Sequence, residues 1–481
     1  MAVASPARTT ALRILGAQRR RNARARDLMR GAREMDMLGH KARSLATRLV
    51  LGVNVASGEL DRRIDSFVTH ASALQPRVRD ALRLAAFEVL YLETPRQVAV
   101  SQGVELVRSV QPRAARMANA VLRRIADCRG EVDDAVEAVR IAASGEVRGI
   151  TSAQLSMTSG YPEWLAARLL DELGECRAAA MCSCALDPAP VYVARGTAAG
   201  SAAEVFSRLE GIEAEPSPTG LPGSWRLVSG ARLASSGLVS SCDVAVADLS
   251  AQVVCRFAAP ASGRVLEVGQ GRGTKSLLLA RSMDELGSEP AVVGCELVAS
   301  KVRQSRDRMN RAGLSGQVSC VEFDGTRLAD VSSLPGELVG SFESVLVDAP
   351  CSGTGTMRRH PEIAWALDEG PLAGAPDSLS SLQSSLLAAA SSRVAVGGCL
   401  VYATCSVLSC ENSEVVDAFL ASDAGSGFEL ASVMDAPGIA ALPGEARFQV
   451  SAWVDERGMF RSVPTPGGPD GHFCARLVRT R

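Results

Sequence analysis

Lysine is nearly missing from this chain: of 52 basic residues only Lys41, Lys275 and Lys301 are lysines. Arginine is therefore the default cation, and its abundance alone says little about partners. Aromatic residues make up 4%, too few for a β-sandwich whose core rests on aromatic pairs. Long apolar runs are absent as well. The longest late uncharged stretch, 394–410, has 17 residues and contains Tyr402, Thr404 and several small polar groups, which is too short and too polar to cross a bilayer. The first 25 residues hold several arginines and no acid, but they lack the apolar centre of a secretory signal. A cytoplasmic protein with no membrane association is expected, its residues 1–21 forming a basic flexible tail. The 13 cysteines include no CxxC pair, and the densest cluster, Cys176, Cys182 and Cys184, has no histidine beside it. Reduced thiols are expected, with neither a disulfide framework nor a bound metal.

What is present is 481 residues, 47% hydrophobic and 22% charged, which excludes wholesale disorder and allows roughly three domains. The net charge of −1 hides an asymmetry. Residues 1–130 carry 24 basic and 11 acidic side chains, a balance of +13; the remainder carries 28 and 42, a balance of −14. Opposite halves of this kind point to an N-terminal part that meets a polyanion.

Residues 22–145 read as helix after helix, with Phe67, Leu74, Val78, Leu82, Ala85 and Val89 at helical spacing and no alternating strand pattern. Between 146 and 238 short apolar runs sit among prolines and glycines, which predicts a small connecting α+β segment. From 239 to 481 the pattern becomes strand, glycine turn, helix, repeated. Apolar runs at 265–268, 291–295, 318–321, 344–347 and 399–402 each end in a turn that carries a polar or catalytic side chain. Such alternation predicts a parallel sheet with helices on both faces, and ligands in such sheets sit outside the carboxyl ends of the strands.

The first of those ends reads Glu267-Val268-Gly269-Gln270-Gly271-Arg272-Gly273. A dinucleotide fingerprint needs its last glycine one residue later, and no acid is required beside it. Alternate glycines with Glu267 alongside suit a cationic ligand that needs close backbone approach without a phosphate cradle; S-adenosylmethionine is such a ligand. Glu296, at the end of the next strand, is placed to accept both ribose hydroxyls, and Asp324, after the third, to accept from the adenine amino group.

After the fourth strand comes Asp348-Ala349-Pro350-Cys351, and after the fifth Thr404-Cys405-Ser406. Neighbouring strands would bring both thiols to one cleft beside the glycine loop. A cytosine C5 is a poor nucleophile, and addition of a thiolate to C6 makes the ring enamine-like, so that C5 accepts a methyl group. The addition also needs an acid at N3, for which Asp348 is the candidate. An unperturbed thiol is mostly protonated at pH 7; Lys275 and the helix N-terminus near Glu411 are candidate sources of a lowered value. The chemistry alone does not choose which cysteine attacks.

The stretches Asp348-Ala-Pro-Cys351-Ser-Gly-Thr-Gly-Thr-Met-Arg358-Arg359-His360-Pro361-Glu362 and Tyr402-Ala-Thr-Cys405-Ser-Val-Leu-Ser-Cys-Glu411-Asn412 resemble the signature motifs of RNA cytosine-C5 methyltransferases. Within that family the chain resembles the bacterial small-subunit (16S) ribosomal RNA enzymes, which carry a NusB-like helical RNA-binding domain in front. Tyr91-Leu-Glu-Thr-Pro95 and Asn119-Ala-Val-Leu-Arg123-Arg124 carry that second likeness. The resemblance implies a Rossmann-like methyltransferase domain with a mostly parallel seven-stranded sheet over 239–481, preceded by an all-α NusB-like domain over 22–145. It implies Cys405 as the covalent nucleophile, Cys351 as the thiol that assists product release, and Lys275 with Asp348 in the active site. Cofactor positions fall on Glu267, Gly269, Gly271, Gly273, Glu296, Lys301, Asp324 and Asp348. Arg123, Arg358, Arg359 and His360 are candidate contacts to RNA, and a monomer acting on small-subunit ribosomal RNA is expected. Asp470-Gly471-His472-Phe473 resembles the family's closing strand motif, usually Asp-Gly-Phe-Phe. The chain departs from the family at the loop, normally Cys-x-Ala-Pro-Gly-Gly-Lys: Gly269, Gly271 and Arg272 replace its Cys, Ala and Pro, and Thr274 replaces a glycine. Two other readings compete. One is a non-catalytic RNA-binding or antitermination protein on a methyltransferase scaffold, which need bind no S-adenosylmethionine. The other is an exocyclic-amine methyltransferase, against which stands Cys351 at the place of the usual stacking aromatic.

Overall fold

In a computed structural model, which describes all residues except 1–2, 22, 147–148, 198, 231 and 368–377, the chain forms two compact units. One comprises 1–188 with 357–369, the other 189–356 with 370–481.

The first unit is helical throughout its described residues, its longer helices being Pro6–Arg21, His40–Phe67, Pro76–Tyr91, Arg96–Val110, Ala115–Asp127, Arg129–Ser144 and Glu163–Ser183. Residues 6–21 are therefore no flexible tail. Ala7, Ala11, Leu12, Ile14 and Leu15 recur at three- and four-residue spacing and are buried in the helical core. Arg8, one of the arginines that suggested a tail, is itself buried, its Nε donating to Glu88 at 2.8 Å. The unit also runs past 145. Thr151 and Gln154 form a capping box that opens Ser152–Ser159, and Leu155, Leu165 and Leu169 are buried in this part; hence half of the expected connecting segment is helical. Residues 357–367, expected in the methyltransferase domain, belong here too: Met357 and Ala364 are buried, and the Trp365 indole donates to the Val55 carbonyl.

The second unit opens with a four-stranded antiparallel sheet of β1 (Val191–Arg195), β2 (Pro216–Pro218), β3 (Ser224–Leu227) and β4 (Val244–Val246), in the order β2-β3-β1-β4. The main sheet contains β5 (Val265–Val268), β6 (Val292–Glu296), β7 (Val318–Glu322), β8 (Phe342–Asp348), β9 (Val394–Thr404), β10 (Phe428–Ala431), β11 (Phe460–Ser462) and β12 (His472–Arg479). Its order is β10-β12-β9-β8-β5-β6-β7, with β11 pairing β12. Strands β9, β8, β5, β6 and β7 are mutually parallel, while β12 runs antiparallel to β9, β10 and β11. Among the described residues the sheet thus has eight strands rather than seven; the extra one, β11, has three residues, too few for a period-two pattern to be read.

The parallel strands are apolar on both faces because helices cover both. Leu249–Ala258, Thr274–Glu285 and Ala299–Arg311 pack on one side and Leu379–Ser391 and Ser413–Leu420 on the other. The chain winds outward from β5 through β6 to β7, then returns to β8 on the opposite side of β5. Strand order reverses between β5 and β8, and that crevice is where such sheets hold ligands.

Candidate active site

At that crevice lies a cavity of about 530 Å³ whose lining includes Gly269, Gly271, Lys275, Glu296, Lys301, Asp324, Asp348, Cys351 and Cys405. Most of the residues expected at the cofactor and at the chemistry are thus gathered in one place. The volume lies in the range of small-molecule sites.

The glycine loop makes the floor. Gly269 has φ +84°, and a Cβ there would fall 2.4 Å from the Asp348 carbonyl oxygen, so only glycine lets the β5 loop close on the β8 end. Gly273 has φ +75° and would strike Ser305 Oγ at 2.4 Å; it shapes the loop from below without lining the cavity. Glu296 turns back over the loop: Oε2 accepts from the Gly271 amide and Oε1 from the Val298 amide, each at 2.9 Å, with Lys301 Nζ 3.7 Å away. Asp324 Oδ1 accepts from the Thr326 amide and hydroxyl at 3.0 and 2.7 Å. Leu297, Val298, Phe323, Leu382 and Leu386 supply apolar walls. Sequence reasoning missed these walls, although Leu297 and Phe323 are direct neighbours of the two acids.

Glu267 is not among the lining residues. It is fully buried beneath the loop, where Oε2 accepts from Ser276 Oγ at 2.5 Å and Oε1 has no hydrogen-bond partner. The cause is strand alternation: Val268 and Glu267 point to opposite faces. Gln270 extends this buried polar layer by donating to Ser276 Oγ at 3.0 Å and to Cys320 Sγ at 3.2 Å. Burial outweighs the Ser276 hydrogen bond and pushes the Glu267 carboxyl up to about 8. The folded chain therefore keeps a proton that an unfolded glutamate loses near pH 4.3, and stability is lost as pH rises from about 4.5 through 8. Glu267→Gln, with no proton to lose, should gain on the parent chain by several degrees in Tm across that window. A difference between the two melting curves that stays constant from pH 5 to 8 would contradict a neutral Glu267.

The chemistry-bearing side chains sit opposite the loop. Strands β8 and β9 run in parallel with Asp348 beside Ala403, so the residues just beyond their ends meet. Cys351 Sγ and Cys405 Sγ are 3.3 Å apart, and the Cys405 amide also lies 3.3 Å from Cys351 Sγ. The hydrogen bond from Cys351 holds the Cys405 thiol below its ordinary range in spite of burial; Lys275 lowers it further, while Asp348 and Glu411 act against this. As donor, Cys351 is held well above that range, with burial and the Glu411 carboxylate adding to the effect. Glu411 thus disfavours both thiolates, opposite in sign to the helix-terminus effect expected near it. Lys275 Nζ donates to Asp348 Oδ2 at 2.7 Å; burial disfavours its charge, but the carboxylate more than compensates and keeps it an ammonium. His472, where the family has phenylalanine, is buried at the start of β12, and burial together with Lys275 drives it down to about 4. It is neutral at pH 7.

The four residues expected to touch RNA are not gathered into one patch. Arg123 is exposed beside a groove of the helical unit lined by Arg96, Asn119 and Asp127. Arg358 is 5% exposed, so its guanidinium is not offered to a phosphate as the motif suggested. The Arg359 carbonyl accepts from Arg26, and His360 lies 3.9 Å from Glu362. The signal that separates them is the apolar pair Met357 and Ala364, both fully buried on this stretch.

Comparison with known proteins agrees with this geometry. The family model "16S rRNA methyltransferase RsmB/F" matches residues 258–478, and the NusB family model matches 5–127. The ribosomal RNA small subunit methyltransferase B of Xylella fastidiosa (strain 9a5c) is 30% identical over 409 residues, 84% of this chain and 83% of that one. This chain belongs to the 16S rRNA methyltransferase RsmB/F family. The probable ribosomal RNA small subunit methyltransferase B of Bacillus subtilis (strain 168) is 28% identical over 82% of this chain and 83% of its own length. Among solved structures, PH0851 superposes over the full length of both chains with a TM-score of 0.71 at 19% identity. NSun6 from Pyrococcus horikoshii with SFG covers 67% of this chain and 99% of its own, with a TM-score of 0.52 at 14% identity. Both share the fold.

The cofactor of this RsmB/F-family chain is S-adenosylmethionine, and the residues present fit it. Glu296 and Asp324 offer carboxylate oxygens at successive strand ends, the loop glycines leave room for close approach, and the walls suit a flat adenine. Arg272, the charged departure from the family loop, is exposed and does not line the cavity. Among the described residues no helix is long and apolar enough to cross a membrane, and no cluster of three metal-ligating side chains occurs.

Proposed function

We propose that this protein transfers a methyl group from S-adenosylmethionine to C5 of a cytosine in 16S ribosomal RNA through a covalent bond between Cys405 Sγ and cytosine C6. The observation that carries this reading is the pair of thiols 3.3 Å apart at the edge of the cofactor cavity, with the Lys275–Asp348 pair in the same lining. Two neighbouring thiols suit an addition followed by an elimination; an exocyclic-amine transfer needs neither.

Cys405 enters as thiolate and forms a bond to C6, while N3 takes up a proton through the Lys275–Asp348 pair. Bound S-adenosylmethionine supplies an electrophilic methyl group. Once C5 is methylated, its remaining proton leaves to a base, the Cys405–C6 bond breaks, and the N3 proton returns. Cys351, still protonated, serves this release at the sulfur it faces. The target base must leave its helix to reach the cavity, and the positively charged helical unit supplies backbone affinity that weakens with salt.

Bisulfite sequencing of 16S ribosomal RNA from cells with and without this gene tests the reading. One protected cytosine should become convertible when the gene is removed. An unchanged pattern, with methylation found instead on an exocyclic amine, would replace the proposal. Titration calorimetry with S-adenosylmethionine separates this reading from a non-catalytic scaffold, which need bind none.

A further inference from the structure

The two cysteine loops do not contact each other by chance of strand register alone; both are tied to one dipeptide. Glu411 is 1% exposed and Asn412 3% exposed, on the turn that precedes the helix Ser413–Leu420. Glu411 Oε1 accepts from the Ser352 amide at 2.8 Å, and Oε2 accepts from Ser352 Oγ at 2.5 Å. Gln383 Nε2 bridges Glu411 Oε1 at 3.2 Å and the Pro350 carbonyl at 2.9 Å. Both neighbours of Cys351 are thereby held. Asn412 Oδ1 accepts from Thr404 Oγ1 at 2.6 Å, and its Nδ2 donates to the Ser406 carbonyl at 3.0 Å. Both neighbours of Cys405 are held too.

We propose that Glu411 and Asn412 are positioning residues that together set the separation of the two thiols: the side chain of Glu411 clamps the Cys351 loop and that of Asn412 clamps the Cys405 loop. A single peptide unit links the two clamps, so a shift of one loop against the other requires breaking charge-assisted or buried hydrogen bonds. Neither residue touches the reacting atoms. The two differ in charge, which separates their effects. Around the thiols stand the ammonium of Lys275, the carboxylates of Asp348 and Glu411, and the phenol of Tyr402. Removing the negative charge of Glu411 favours thiolate at Cys351, whereas removing Asn412 changes no charge.

The inference rests on the proposed roles of the thiols, yet its central test needs no RNA. In the full-length protein, alkylation of Cys351 by iodoacetamide is followed against pH by peptide mass spectrometry. Glu411→Gln should move the Cys351 profile to lower pH, with alkylation about tenfold faster at a fixed pH below the midpoint, the equivalent of one pKa unit. Asn412→Ala removes no charge but frees the Cys405 loop, and with the thiol–thiol hydrogen bond weakened the Cys351 profile should move to lower pH as well. Both variants should lower kcat for methyl transfer about tenfold or more with the affinity for S-adenosylmethionine unchanged. A Cys351 profile unmoved in folded Glu411→Gln or in folded Asn412→Ala overturns the proposal. Should Glu411→Gln not fold, Ser352→Ala removes one of the two Ser352 hydrogen bonds to Glu411 and leaves the amide one: a reduced kcat with intact cofactor binding supports the clamp, and an unchanged kcat overturns it. A wrong assignment of the methylated atom would leave the alkylation shift intact, so failure of the function and failure of the clamp are distinguishable.

Discussion

Cys405→Ala is expected to abolish methyl transfer, with a fall of at least about 10⁴-fold in single-turnover rate, the order lost when a covalent nucleophile is removed. Cys351→Ala should fail differently, by leaving RNA bound to the protein through a bond that survives a denaturing gel. The difference follows from the thiol pair. The thiol–thiol hydrogen bond favours the thiolate at Cys405 and the protonated form at Cys351. An attacking group must be deprotonated before the bond forms, while a group assisting release is useful in its protonated form. Denaturing electrophoresis with labelled RNA reads both outcomes. Trapped RNA with Cys405→Ala and none with Cys351→Ala would exchange the two roles.

Removing the Lys275 ammonium is expected to have the second-largest effect. In Lys275→Met the Asp348 carboxylate, 2.7 Å from the lost nitrogen, is left partly buried without its partner, a costly state. Cys405 also loses a cation that lowers it, so its thiolate forms only at higher pH. The rate should fall about 10²- to 10³-fold near neutrality, in the range of acid–base contributions to catalysis. The rising limb of the pH–rate profile should move to higher pH. Single-turnover rates measured between pH 6 and 10 check this: a depressed rate with an unmoved limb would limit Lys275 to holding the loop.

The parallel core and the two thiols were legible because each depends on local pattern. Apolar runs of four or five residues followed by a turn mark buried parallel strands, and the acids and thiols at those turns follow from that geometry. Other features depend on what the chain meets elsewhere. The helix Pro6–Arg21 was hidden because its arginines outnumber its larger apolar residues, and the partner that buries Arg8 is Glu88, 80 residues away. Glu267 beside the glycine loop suggested a ligand contact, but strand alternation turns it under the floor. Arg358 and Arg359 read as an exposed basic loop because charge is visible in sequence and the burial of Met357 is not. The functions of Glu411 and Asn412 were equally hidden, since their partners Ser352, Thr404 and Ser406 are identified only once β8 and β9 are aligned.

That alignment carries a further consequence. Asp348 faces Ala403 and Val347 faces Tyr402, and side chains in a strand alternate between faces, so a slip of one residue would turn every neighbour over. A chain mispaired in this way would still bury an apolar sheet between helices and look compact by size or helix content, yet its two sulfurs would point to different sides. The fraction of competent molecules in a refolded sample is therefore a question of strand pairing, which titration of active sites reveals and measurement of bulk structure does not.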